Sequence, residues 1–266
     1  MNSISRHARL KLTLAYVGTA YAGWQIQAEG LGLPTVQQEL ENAIKSIAGR
    51  HVRVHGAGRT DAGVHAEGQV AHADVPHREG LDWQRALNAK LPRDIRVTEC
   101  RQVPDAFHAR YSAMGKLYAY TVYTGMSRTP PRLDPFAWTT PPLDFDAMHA
   151  AAAYLAGRHD FASFQNVGTP IVDTVRVLRS ITCEKCVAGP FICPSSWPVT
   201  TWFFDGEGFL KQMVRNLMGL LVWVGQGRIQ ALDVPSLLAA RDRRAVTSPT
   251  APAKGLSLMR VIYPDI

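Results

Sequence analysis

Cysteine is scarce in this sequence: four occur among 266 residues, at positions 100, 183, 186 and 193. So few cysteines exclude the disulfide framework that holds many secreted domains together. Three of them have the spacing C-x2-C-x6-C, which could hold a zinc ion if a fourth ligand came from elsewhere in the chain. The interpretation we prefer is that all four are reduced thiols.

Long apolar runs are also missing. The longest apolar region, residues 217–224, is interrupted by Gly219 and is too short to span a bilayer. Residues 1–11 carry three cations but lack the apolar stretch of a secretion signal. We therefore expect a soluble, cytoplasmic protein that does not associate with membranes.

Acidic residues are fewer than basic ones: the chain has 22 acidic and 29 cationic side chains, which gives a net charge of +7. Most of the cations are arginines. Guanidinium groups match the geometry of phosphates and stack on bases, so this balance favours a polyanionic partner such as nucleic acid. A biased genome can also enrich arginine, so charge alone leaves open a protein with no anionic ligand.

What the sequence does contain is a glycine-rich segment that ends a predicted strand, Gly-Ala-Gly-Arg-Thr-Asp-Ala-Gly-Val-His at 56–65. Arg59 can hold Asp61 ionised, and an ionised, oriented carboxylate can act as a nucleophile or a base. An ordinary salt bridge within a loop is the alternative. A metal site built with the neighbouring histidines matches no known spacing, and the glycine spacing does not fit a phosphate-binding loop.

Periodicity predicts strands and helices in alternation, and hence an α/β (α+β) protein with mainly antiparallel sheets. We divide it into two related subdomains, residues 1–112 with the Asp61 loop and residues 113–266. The predicted helices cover 36–48, 82–91, 147–156, 209–224 and 234–241. A capping box of Thr35 and Gln38 begins the first helix and Gly49 ends it, and Asp144 caps the third. The predicted strands include 10–14, 69–75, 116–123, 172–183, 199–204 and 256–261, and the proline-rich residues 128–142 are predicted to be a connecting loop.

Two further side chains stand out in the second half. Tyr118 lies on the face of its strand that also carries Tyr120, and it could pack in the core, stack on a base or move a proton. Arg215 lies beside the apolar stripe of helix 209–224, and a partly buried arginine requires a carboxylate partner, for which Asp61 is a candidate. The segment Tyr21–Gln25 either covers the hydrophobic core or forms a surface on which nucleic-acid bases stack.

Several stretches occur together in an order typical of one family: residues 21–25, 58–65, 107–110, 116–120, 213–216 and 251–256. On these motifs the chain resembles the tRNA pseudouridine synthase A family from about residue 9 to residue 264. Three features depart from the family pattern, namely the long excursion 184–197, Lys211-Gln212 and Lys254. None of them removes a catalytic residue.

The resemblance implies an isomerase without cofactor or metal that converts uridine to pseudouridine at positions 38 to 40 of the tRNA anticodon stem-loop. It implies that Asp61 is the nucleophile, that Arg59 helps to open the RNA, that Tyr118 contacts the target base and that Arg215 holds Asp61 ionised. Arg110 and Leu256 would contact the substrate. The family further implies a homodimer, and two subdomains joined into one mixed sheet with helices on one side and a basic cleft on the other.

Two other classes of protein stay in competition. A non-catalytic RNA-binding protein would explain the charge but would keep its function when Asp61 is replaced by asparagine. A metal-dependent hydrolase of small molecules would explain the histidines and would contain metal when purified.

Overall fold

A computed structural model describes residues 7–27, 32–125, 128–166, 168, 173–185, 187–188, 191–192 and 197–264. The chain forms two compact units, one made of residues 1–114 and 258–266 and the other of residues 115–257. The carboxyl-terminal residues thus group with the first half of the chain. The division into subdomains at residue 112 stays a prediction.

The protein is mixed α/β, as predicted. The strands of the described residues are β1 (His7–Tyr16), β2 (Val54–Gly56), β3 (His65–Pro76), β4 (Ile95–Val103), β5 (Gly115–Thr124), β6 (Trp138–Thr140), β7 (Gly157–Asp160), β8 (Val175–Lys185), β9 (Val187–Ala188), β10 (Phe191–Ile192), β11 (Val199–Gly206) and β12 (Leu256–Ile262). The α-helices are α1 (Val36–Ala48), α2 (Trp83–Asn88), α3 (Phe145–Leu155), α4 (Met213–Gly225) and α5 (Val234–Ala239).

Among the residues described, ten strands belong to one mixed and mostly antiparallel sheet, while β9 and β10 form a separate antiparallel pair. This confirms the predicted fold class.

In the first unit, β1 pairs antiparallel with both β3 and β4, and β2 pairs antiparallel with β3. Leu10, Leu12 and Leu14 of β1 are buried on one face of this sheet, because side chains alternate between the two faces of a strand. The opposite face carries polar side chains, and Lys11 lies in register with His72 there.

Helix α1 has the limits that the sequence predicts. The Thr35 hydroxyl accepts a hydrogen bond from the Gln38 backbone N–H and so caps the amino terminus. Gly49 ends the helix in the left-handed conformation, with a φ of 74°. The apolar side of the helix is buried, including Leu40 and Ile44.

In the second unit, β5, β11, β8 and β7 pair antiparallel in that order. The core includes Trp202 and Phe204 of β11 and Leu217 and Leu221 of α4. The proline-rich segment is less irregular than predicted, since its β6 pairs parallel with β5.

Helix α4 begins four residues later than the predicted residue 209, so that limit is wrong. Gln212 has a φ of 61°, a left-handed conformation that an α-helix cannot include. The Met213 N–H donates to the Leu210 carbonyl in a turn before the helix starts. Apolar spacing could not reveal this, because Phe209 and Leu210 continue the same stripe.

No helix in the described part of the chain is both long and apolar enough to cross a membrane.

Candidate active site

The segment that carries Arg59 and Asp61, which we call the Asp61 loop (residues 57–64), leaves the sheet between β2 and β3. Beyond β2, the Ala57 N–H still donates to the Val70 carbonyl at 2.7 Å. The Gln69 side-chain amide then donates to the Gly58 carbonyl at 2.9 Å. The first part of the loop is therefore attached to β3 although it is not part of the ladder.

Thr60 anchors the middle of the Asp61 loop in the interior of the first unit. Its hydroxyl shares a hydrogen bond of 2.8 Å with the buried Tyr16 hydroxyl, and its carbonyl accepts from the Trp24 N–H at 3.0 Å. Burial raises the pKa of Tyr16 to about 12, so this phenol is neutral and available as a hydrogen-bond partner.

Two glycines let the backbone of residues 18–23 approach the Asp61 loop closely. A β-carbon on Gly23, whose φ is +91°, would lie 2.5 Å from the Thr60 carbonyl oxygen, and one on Gly18 would overlap the Val64 carbonyl. The Gly18 N–H also donates to Nδ1 of the buried His65 at 3.1 Å. From the sequence, His65 is considered only as a possible metal ligand and Gly18 only as part of the end of the first strand. The pairing of distant backbone segments left no signal in the sequence beyond the glycines themselves.

Trp24 is buried, which favours the interpretation of Tyr21–Gln25 as a structural segment over that of a surface for bases. Its indole ring lies where a β-carbon on Gly56 would stand, since the two would approach to 2.5 Å. The aromatic turn therefore supports the start of the Asp61 loop.

Asp61 is the first residue of a tight turn that is closed by a backbone hydrogen bond. Its carbonyl accepts from the Val64 N–H at 3.1 Å, and Gly63 takes a φ of 79° within the turn. Asp61 is half-buried, whereas Arg59 is exposed. The loop therefore presents one carboxylate on a backbone that is held in place and one accessible guanidinium, which are groups suited to nucleophilic chemistry on an anionic substrate.

In the second unit, Tyr118 is buried on β5. Its ring packs edge-to-face on Phe209, with 5.1 Å between the centroids and an interplanar angle of 83°. Tyr120 lies two residues farther along the same face, and its hydroxyl donates to the Pro252 carbonyl at 2.7 Å. Burial raises the pKa of Tyr120 well above its usual range, opposed by the positive charge of Arg215.

Arg215 occupies the first turn of α4 and is half-buried. Its Nε donates to the Ala251 carbonyl at 2.7 Å, and the Ala251 N–H donates back to the Arg215 carbonyl at 3.1 Å. The buried Leu256 follows Gly255, whose α-carbon faces the Tyr120 ring so closely that a β-carbon would lie 2.6 Å from it. The second unit thus brings Arg215, Tyr120 and the segment before β12 together.

Sequence reasoning missed a second set of residues that holds this segment, although Asn216 lies within a quoted motif. Asn216 is buried, donates to the Phe164 carbonyl at 2.8 Å and accepts from the Thr250 hydroxyl at 2.6 Å. Arg243 donates to the Ser248 carbonyl at 3.2 Å.

The remaining predicted residue, Arg110, is exposed and lies over the Tyr111 ring at 5.7 Å from its centroid. The adjacent Ala109 N–H donates to His72, near the end of β3 that is remote from Asp61. Arg110 and Asp61 therefore belong to different parts of the first unit. The pairing of Asp61 with Arg215, residues of different units, stays a prediction.

No group of three or more histidine, cysteine or acidic side chains in the described ranges is arranged to hold a metal ion. Of the clustered cysteines, 186 and 193 fall outside those ranges. Burial raises the pKa of Cys183 to about 11, so this side chain is a thiol at neutral pH.

We compared the sequence with those of known proteins and protein families. The profile of a family described as tRNA pseudouridine synthase matches residues 13–112 and 151–264. Proteins named tRNA pseudouridine synthase A are similar over nearly their whole length. The one from Oleidesulfovibrio alaskensis is 54% identical, covering 97% of this chain and 97% of the relative.

Two relatives from other bacteria show the same correspondence. The protein from Lawsonia intracellularis is 52% identical over 96% of this chain and 99% of its own length. The protein from Moorella thermoacetica is 44% identical with the same two coverages. These matches include both the Asp61 loop and the segment with Arg215. The chain therefore belongs to the tRNA pseudouridine synthase family, and it is an isomerase.

Proposed function

We propose that this isomerase converts uridine to pseudouridine in the anticodon stem-loop of tRNA, at positions 38 to 40, with Asp61 as the nucleophile. The observation that carries the proposal is the way in which hydrogen bonds hold the backbone around Asp61. Its carboxylate projects from a turn whose backbone is held through Thr60 and Gly58, beside the exposed Arg59. A carboxylate on a fixed backbone loses less freedom when it meets the reacting base than one on a mobile loop, which lowers the entropic part of the barrier.

The reaction requires a base that leaves the helical stack and turns within a pocket. The bond from N1 to the ribose C1′ breaks, the base rotates, and a bond forms between C5 and C1′. The C5 proton then leaves to solvent, and N1 gains a proton. An ionised aspartate can assist by adding covalently to the base or the sugar, or by promoting elimination to a glycal.

We assign the other residues by the chemistry that this sequence of steps needs. The exposed Arg59 would occupy the space that the base vacates and contact nearby phosphates. Tyr118 would contact the turned base, either as a platform or as the acceptor of the C5 proton. Arg215 would keep Asp61 ionised, while Leu256 and Arg110 would contact the RNA. The chemistry calls for no cofactor, and we propose that the chain acts as a homodimer.

The test is release of the C5 hydrogen from tRNA labelled at C5 of uridine, measured in the presence of a chelator. We expect release by the wild type and loss of at least about a thousandfold in rate for Asp61→Ala. Glu79→Gln serves as the control, because Glu79 is an exposed acid in the loop before α2.

Equal release by Asp61→Ala and wild type would contradict the assignment of the nucleophile. Tight tRNA binding by the wild type without release would point instead to a non-catalytic RNA-binding protein. Mapping the modified positions in the product tests the choice of the anticodon stem-loop separately.

A further inference from the structure

Four aromatic side chains in the first unit are in ring contact one after another, and the proposed chemistry at Asp61 does not use them. The His55 and His72 rings are stacked with 5.0 Å between centroids, and His72 lies 4.6 Å from His108. His108 in turn lies 4.3 Å from the Tyr111 ring. We call these four residues the histidine–tyrosine stack.

Strand register explains why the histidines meet. His55 of β2 is directly opposite His72 of β3, so both side chains emerge from the same face of the sheet. His108 belongs to the segment after β4, which crosses this face. Two pairs of residues that are far apart in the sequence are thereby brought into ring contact.

Backbone hydrogen bonds fix the orientation of two of these rings. Nδ1 of His72 accepts from the Ala109 N–H at 3.1 Å, and Nδ1 of His108 accepts from the Arg110 N–H at 3.1 Å. A neutral imidazole that accepts at Nδ1 carries its proton on Nε2. Burial lowers the pKa of His72 to about 4 and also lowers that of His108, so both rings are neutral at pH 7.

The segment that bears His108 and Tyr111 is firmly attached to the sheet. The Phe107 ring is buried, and the Phe107 carbonyl accepts from Nη1 of Arg9 at 3.0 Å. The Tyr263 hydroxyl donates to the Ala109 carbonyl at 2.6 Å, and Nζ of Lys11 lies 4.5 Å from the centroid of the Tyr263 ring. The segment is therefore ordered. Within the stack His72 is buried, whereas His55 at one end and Tyr111 at the other are exposed.

The Tyr111 end has the chemistry of an RNA contact. Tyr111 is 78% exposed, an unusual state for a large aromatic side chain, and the Arg110 guanidinium lies over its ring at 5.7 Å from the centroid. Proteins recognise unpaired bases in RNA by stacking them on aromatic rings, and a neighbouring arginine can neutralise the phosphate. The chain as a whole carries a net charge of +7, which complements such a ligand.

The Asp61 turn and the Tyr111 end of the stack lie toward opposite ends of β3. The Asp61 loop returns to the sheet at the start of β3, where His65 binds Gly18, while the stack includes His72. The six residue-to-residue steps from Ala66 to His72 span roughly 20 Å at about 3.3 Å per step. This length far exceeds one base, so the stack would meet a different part of the RNA.

We infer that Tyr111, supported by His108 and flanked by Arg110, is a stacking platform for an unpaired, non-target nucleotide of the bound tRNA. The inference rests on the proposed function for the identity of the RNA. The platform would set the register of the tRNA on the enzyme and leave the chemistry to Asp61. It would act mainly on affinity, and hence on KM, with little effect on kcat.

The test compares Tyr111→Ala with Tyr111→Phe in binding an unmodified tRNA transcript at several salt concentrations. Loss of one stacked base weakens binding roughly 5- to 150-fold, so we expect Kd to rise by this factor for the alanine variant. The phenylalanine variant keeps the ring and should stay within about twofold of the wild type. Leu232→Ala is the control for loss of an exposed apolar side chain, since Leu232 is 77% exposed.

Salt dependence separates stacking from charge. Tyr111→Ala should leave the slope of log K against log salt unchanged, whereas Arg110→Ala should reduce it by about one if Arg110 contacts a phosphate. At saturating tRNA, Tyr111→Ala should release the C5 hydrogen at the wild-type rate. Unchanged thermal unfolding would show that the variant is folded.

The platform hypothesis would be wrong if Tyr111→Ala bound tRNA with wild-type affinity. It would also be wrong if the alanine and phenylalanine variants lost the same amount of affinity. The outcome is independent of the proposed chemistry, because binding is measured without turnover. If the wild type binds tRNA through Tyr111 but releases no C5 hydrogen, the proposed function fails and the platform stands.

Discussion

Gly23 and Gly49 both adopt a left-handed backbone, with φ angles of 91° and 74°, but their surroundings differ. A β-carbon at Gly23 would lie 2.5 Å from the Thr60 carbonyl oxygen, whereas one at Gly49 would have no atom within 4 Å. The first glycine is needed for conformation and for contact with the Asp61 loop. The second is needed for conformation alone.

We expect Gly23→Ala to lower the free energy of unfolding by about 2–4 kcal/mol, since strain and overlap add. Gly49→Ala should cost only about 1 kcal/mol. Denaturant unfolding measures both values.

The C5-hydrogen assay gives the functional half of the comparison. Gly23→Ala should also lose turnover under conditions where the protein is folded, because Thr60 must shift and Asp61 is the next residue. Similar stability and full turnover in both variants would show that the contact with Thr60 does not position Asp61.

At the scale of elements, α4 docks on the segment that precedes β12. A β-carbon on Gly219 would overlap the Pro249 carbonyl, so the helix and the segment touch through backbone atoms. Gly225, at the end of the same helix, instead faces the sulfur of Met148, where a β-carbon would lie 2.7 Å away. A flexible methionine can move aside, and a hydrogen-bonded backbone cannot.

Gly219→Ala should therefore destabilise the protein by about 2–3 kcal/mol through overpacking, despite the higher helix propensity of alanine. Gly225→Ala should change the stability by no more than about 1 kcal/mol, since propensity and the shift of Met148 oppose each other.

Denaturant unfolding of both variants checks this pair, with hydrogen exchange of the amides in residues 248–256 as a local measure. Faster exchange in Gly219→Ala alone is the expected result. Equal stability of the two variants would mean that the docking of α4 tolerates a shift of the segment.

At the scale of the whole molecule, acid should reduce stability through a histidine that folding keeps neutral. The pKa of His72 is about 4 in the folded protein because burial and the neighbouring histidines disfavour its charged form. An unfolded histidine titrates near its usual value of about 6.5. The unfolded state therefore binds more protons between these values, and the free energy of unfolding falls as the pH drops from about 6.5 to 4.

The variant His72→Asn removes this titration while its side-chain oxygen can still accept from Ala109. Between pH 6.5 and 4, we expect the wild type to lose about 2 kcal/mol more stability than the variant, a value below the full shift because the stack borders solvent. Urea unfolding at a series of pH values measures the difference. Parallel curves for the two proteins would contradict a neutral, buried His72.

By itself, the sequence determined much of this protein. Alternation in β1, the Thr35 cap and Gly49 of α1, and the capped start of α3 all depend on neighbouring residues, so local pattern was sufficient to predict them. The motif around Asp61 identified the family for the same reason. It is a continuous stretch whose residue types are unusual together.

Only the tertiary structure decided which distant segments these locally predicted elements contact. The left-handed Gln212 delays α4, because packing and turn formation override an apolar stripe that starts earlier. Gly18, Gly23 and Asn216 act on backbone far away in the chain, and His55, His72 and His108 form a stack through strand register and a crossing segment. Such contacts depend on which distant segments share a face of the sheet, and local spacing in a single sequence contains no measure of that.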